Sequence, residues 1–102
     1  MIELLTIPEN LPFFDGHFPG NPVLPGILVI ELSCTFLKKI DPGLATQRLT
    51  TVLNAKFSKA VTAGMKVVLQ AEKRSDSWTV SWREEGKEAE IAVLSLAFGG
   101  PG

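Results

Sequence analysis

Three features of this 102-residue chain are suited to moving protons beside a carbonyl group. His17 is the only histidine, and it sits within Asp15-Gly16-His17-Phe18-Pro19-Gly20, among residues that fix a backbone rather than fill a core. An imidazole titrates in the range a base near neutral pH requires, although a loop histidine is also commonly a hydrogen-bonded bystander. Glu31 interrupts the otherwise apolar run from Ile27 to Ile40. A carboxylate in such surroundings loses hydration and, without a cation beside it, keeps its proton, which makes it a general acid; the plainer reading is a glutamate that emerges into solvent at a sheet edge. Gly26 follows Pro25 at the start of the same run. A helix beginning there would offer unpaired N–H groups and the positive end of its dipole to a developing negative oxygen, while Pro and Gly are also simply good entry residues. A base, an acid and a pair of amide donors suit removal of a proton next to a carbonyl together with protonation of a departing hydroxyl.

The elements that must hold these groups follow from periodicity. Residues 2 to 7 read as a short strand that Pro8 stops. Between residues 8 and 26 lie five of the seven prolines and Gly16, Gly20 and Gly26, so no useful helix or strand fits. Leu11, Phe13, Phe14, Phe18, Val23 and Leu24 make that segment too apolar for a linker, and it is expected to be an ordered loop packed onto the rest. From Gly26 to about Ile40 the pattern is helical with apolar residues around the whole circumference, which predicts a helix buried on every side. Lys38 and Lys39 suit its C-terminal dipole, and Asp41-Pro42-Gly43 ends it. Strands are expected at roughly 48 to 58, 65 to 74, 77 to 84 and 89 to 98, with turns at 74–77 and 84–87 making the last three an antiparallel meander. Trp78 and Trp82 fall on one face of their strand and read as sheet packing or interface. One apolar helix followed by four strands points to an α+β fold in a single domain over residues 1–102, a curved antiparallel sheet wrapped around a central helix.

Composition narrows the function classes. With 45% hydrophobic and 21% charged residues the chain is an ordinary globular domain, and a mean hydropathy of +0.21 hints at a second subunit covering apolar surface. Ten bases against eleven acids, with a pI near 5.8, argue against a nucleic-acid surface. Residues 38 to 74 nevertheless carry +6, a charge suited either to an acidic partner or to solvated strand lysines. The single cysteine, Cys34, forms no internal disulfide and reads as a buried thiol, and one His with one Cys makes no metal cluster. No secretory signal or bilayer-length apolar run stands out, so a cytoplasmic protein with no membrane or nucleic-acid partner is expected.

The stretch from Phe14 to Glu31, with His17 and Glu31 fourteen residues apart, resembles the signature of the 3-hydroxyacyl-[acyl-carrier-protein] dehydratases of the hot-dog fold. Phe57-Ser58-Lys59-Ala60-Val61-Thr62-Ala63-Gly64 is similar to that family's Phe-x-x-Pro-Val-x-Pro-Gly turn, with alanine at both proline positions. The resemblance implies that His17 is the base taking the C2 proton of a 3-hydroxyacyl thioester and Glu31 the acid releasing the 3-hydroxyl as water. It further implies that the Gly26 amide polarises the thioester carbonyl, with Phe18 and Pro25 beside the substrate. The implied partners are an acyl carrier protein, whose phosphopantetheine-linked chain is substrate rather than cofactor, and a second copy in a homodimer or an oligomer of dimers; no metal or bound cofactor is implied. Glu31-Leu32-Ser33-Cys34-Thr35 lacks the glutamine common after the acid, and few residues precede His17, which makes the chain more similar to the compact dehydratase-like proteins of specialised acyl pathways. A hot-dog thioesterase, and a non-catalytic subunit that binds carrier protein or heterodimerises, are the alternatives.

Overall fold

A computed structural model describes residues 2–7 and 23–101. The elements in chain order are β1 (Ile2–Thr6), α1 (Gly26–Ile40), a 3-10 turn (Pro42–Thr46), β2 (Gln47–Phe57), β3 (Lys66–Lys73), β4 (Trp78–Glu84) and β5 (Glu90–Pro101). The strands form one sheet in the order β1-β3-β4-β5-β2, and every pairing is antiparallel.

Helix α1 spans the expected residues because its ends are fixed locally. Pro25 is the extended N-cap, and its carbonyl accepts from the amides of Leu28 and Val29. At the other end the Asp41 amide donates to the Leu37 carbonyl, and the Asp41 side chain accepts from the Gly43 amide, turning the chain into the 3-10 segment. Period-two alternation places Val67 and Leu69 of β3, Val80 and Trp82 of β4, and Ala92, Leu94 and Leu96 of β5 on the buried face. Onto them α1 presses Val29, Ser33, Phe36 and Leu37, a stripe at intervals of four, three and one. Burying a side chain such as Leu37 contributes about 1.5–3 kcal/mol. The β3–β4 hairpin closes through the Arg74 amide on the Ser77 carbonyl, and the β4–β5 turn needs Gly86, whose φ of 81° disfavours any residue with a Cβ.

One expectation is corrected. The helix is not buried on every side: Ile27, Glu31, Thr35, Lys38 and Lys39 are exposed, along one outward stripe. Ile27 on that stripe is 68% exposed rather than covered by the chain's own sheet, and the edge strand β2 is only partly covered. Val52 pairs with Leu96 and Phe57 with Ala92, so both side chains stand on the core face of the sheet. Leu96 and Ala92 are fully buried while Val52 and Phe57 are 39% and 46% exposed. Register shifts around Thr50 and Leu53 bulge this edge strand, which adds twist and curvature. The result is a sheet whose edge strand β2 keeps core-facing side chains partly exposed.

Candidate active site

The chain on either side of α1 is tied down where the site would lie. The Leu24 amide donates to the Val61 carbonyl at 2.7 Å, and Val23 bridges Thr62. After β1, the Ile7 amide donates to Met65 and the Gly64 amide to Ile7. Gly64 has a φ of 79°, so the turn that resembles the family's second motif uses its glycine for the conformation only glycine adopts freely. That turn docks against the entry to α1.

Between the two lies an open cleft of about 350 Å³, bordered by Gly26 and Val29 of the helix, Phe57 at the end of β2, and Lys59 and Val61 of the turn. Among the described residues the Gly26 and Ile27 amides have no hydrogen-bond acceptor, no side chain caps the helix start, and no acidic residue occupies its first turn. Gly26 therefore lines a recess with the positive end of the helix dipole unneutralised by any described residue, an environment that stabilises an oxyanion. The ring of Phe57 covers Gly26: a Cβ placed there would meet it at 3.4 Å.

Of the residues singled out in the sequence, Gly26 lines the cleft and Pro25 caps the helix beside it. His17 and Phe18 lie outside the described residues. Glu31 stands five residues into α1, about 7.5 Å along the axis at ~1.5 Å per residue, on the same outward stripe as Ile27. Its side chain is exposed, so within one chain it is not enclosed by apolar surface as expected. Cys34, on the next turn, is half-buried against the core, and burial pushes its thiol above the ordinary 9.0, opposed by Lys38.

The basic middle third does not form one surface. Lys38 and Lys39 sit in the last turn of α1, where Lys39 pairs with Glu3 at 3.1 Å, while Lys59 borders the cleft at the first turn, about 18 Å away along the axis. Lys59 and Lys87 both reach Glu84, at 3.1 and 3.3 Å, and their hydrogen bonds hold that carboxyl below its ordinary 4.5. Sequence reasoning missed Phe57 as the cover of Gly26; the signal was its place at the head of the second motif.

A family model described as ApeI-like, ApeI dehydratase, matches residues 2–95. The chain is 43% identical over 68 residues to a 3-hydroxyacyl-[acyl-carrier-protein] dehydratase FabZ of Wolbachia sp. subsp. Drosophila simulans, a match covering 61% of this chain and 47% of that relative, so the chain spans about half of its length. It is 44% identical to the FabZ of Lactiplantibacillus plantarum, over 92% of this chain and 68% of the relative. Among solved structures, the dehydratase heterocomplex ApeI:P from Xenorhabdus doucetiae has a similar fold, with a TM-score of 0.75 at 18% identity over 97% of this chain and 86% of that one. The five-stranded antiparallel sheet with its one helix is thus a hot-dog fold, and the chain belongs to the ApeI-like dehydratase family.

Proposed function

We propose that the chain is a dehydratase that converts 3-hydroxyacyl thioesters on acyl carrier protein into trans-2-enoyl thioesters. The observation that carries this reading is the exposed, outward placement of Glu31 on the helix whose first turn lines the Gly26 cleft, in a chain of the dehydratase family.

The chemistry follows from charge development. The thioester carbonyl oxygen accepts a hydrogen bond from the Gly26 amide, which favours negative charge on that oxygen as the C2–H bond breaks. His17 takes the C2 proton. The electron pair moves to form the C2–C3 double bond, the C3–O bond breaks, and Glu31 gives its proton to the departing hydroxyl, releasing water. Glu31 is a useful acid near neutral pH only when shielded from water, and one chain does not shield it. A second copy does so if it covers the exposed Ile27, Val52, Leu53 and Phe57. The open edge of β2 favours such pairing, because an eleven-residue edge strand with apolar side chains is otherwise prone to unspecific association. The functional unit is therefore a homodimer, with His17 of one copy working beside Glu31 of the other. Lys59, held at the cleft by Glu84, is placed to meet an acidic carrier protein.

The test is incubation of the purified protein with 3-hydroxyacyl carrier proteins, followed by mass spectrometry of the acyl group. Loss of one water, abolished in His17→Ala, is expected. Release of a free carrier thiol would instead establish a thioesterase, and carrier binding without turnover, undisturbed in His17→Ala, a non-catalytic subunit.

A further inference from the structure

Ser33 is the one polar side chain fully buried among the described residues, and its hydroxyl is used twice. It donates to the Val29 carbonyl one turn earlier at 2.8 Å, and it accepts from the indole Nε1 of Trp82 at 2.9 Å. Trp82 is itself fully buried on β4, the middle strand of the sheet. No other side-chain hydrogen bond joins α1 to β3, β4 or β5 among the described residues; the helix otherwise packs on the core through apolar side chains, Val29, Phe36 and Leu37 buried and Leu28, Ile30, Leu32, Cys34 and Ile40 partly so.

Apolar packing tolerates small rotations and slides, whereas a hydrogen bond is directional. Ser33 and Glu31 are two residues apart, about 200° around a helix of ~3.6 residues per turn. Fixing Ser33 toward the sheet therefore aims Glu31 almost directly away from it. We infer that Ser33 and Trp82 are positioning residues, a polar pin that sets the rotation of α1 and so presents the Glu31 carboxyl to the open side of the molecule. This rests on the dehydratase reading for its catalytic meaning, but the rotation itself does not.

The pin makes an unusual prediction because its two partners differ. Ser33→Ala leaves the indole N–H buried without an acceptor, while Trp82→Phe removes the donor and leaves the serine bonded to Val29. The experiment compares these two variants, their combination, and Leu44→Ala, a core truncation in the 3-10 turn that serves as a destabilised control. Three quantities are read on the purified assembly: melting temperature, kcat and KM for dehydration, and the rate at which a thiol reagent modifies Cys34, one residue along from Ser33. The double variant is expected to lose less melting temperature than the two single losses added, since no donor is then orphaned. Its kcat is nonetheless expected to stay about tenfold or more below wild type with KM little changed, because misplacement of an acid by an ångström is enough for such a loss. Cys34 should react faster in the pin variants than in Leu44→Ala. Strictly additive melting losses, recovery of kcat in the double variant, or Cys34 rates no faster than the control's would each overturn the inference. Wild-type protein without dehydratase activity would defeat the dehydratase reading alone, and the melting and Cys34 comparisons would still decide whether the pin exists.

Discussion

The two long faces of α1 contrast sharply. Toward the sheet, Val29, Ser33, Phe36 and Leu37 are between 0% and 2% exposed and the only polar group has both its partners. On the outward side Ile27 is 68% exposed and Glu31 is exposed with it, while on the edge strand Val52 and Phe57 are 39% and 46% exposed. The closed face holds the fold together; the open one carries the candidate acid. On the homodimer proposal the difference is one of completeness: the apolar area one chain leaves uncovered is what a second copy covers.

The strongest way to break this contrast is at the acid. Glu31→Gln is expected to lower dehydration roughly 10²–10⁴-fold while the melting temperature stays near wild type, because the side chain is exposed and the replacement keeps its size. A comparable melting loss would show that the open face is structural after all, and steady-state kinetics beside calorimetry checks it. On the closed face, Leu37→Ala should behave in the opposite way, losing about 2–5 kcal/mol of stability by denaturant titration. Replacing Leu53, exposed on the bulged edge, with Asp should leave the single-chain fold intact and weaken self-association at least about tenfold by sedimentation equilibrium, taking activity with it.

How far the sequence reveals this contrast differs between the faces. Helix α1 was legible to the residue because Pro25-Gly26 and Asp41-Pro42 mark its ends in local chemistry, and the meander was legible from alternation and turn residues. The continuation of β5 to Pro101, opposite Gln47, was not, since pairing across the sheet rather than local pattern creates it, and Asp41-Pro42-Gly43, read as a helix stop, also opens the 3-10 turn at 42–46. The open stripe was misread for a general reason: Ile27 is equally apolar whether it meets its own sheet or a second copy. The Ser33 pin was hidden likewise, because a serine in an apolar helix signals nothing until the indole above it is placed. Gly26 lines the cleft and Pro25 caps the helix beside it, and the roles of Gly26, Pro25, Phe18, His17 and Glu31 toward substrate are the substance of the proposal.

The smallest expected effect sharpens the contrast at the cleft's rim. Glu84 is held below 4.5 by Lys59 first and Lys87 second, and a depressed folded value means its favourable contribution is complete above 4.5 and fades as pH falls through the folded value. NMR titration of its carboxyl carbon should give a midpoint below 4.5 that rises in Lys59→Ala, with the overall fold unchanged.

The most direct measurement is complementation between two inactive proteins. His17→Ala and Glu31→Gln homodimers are denatured together, refolded and assayed, so that mixed dimers form in statistical proportion. A site shared across a two-fold interface leaves each mixed dimer one intact His17–Glu31 pair, and the mixture should regain about a quarter of wild-type activity. If refolding restores dimers but no turnover, Glu31 is not completed by a second copy, and the account of the open face is wrong.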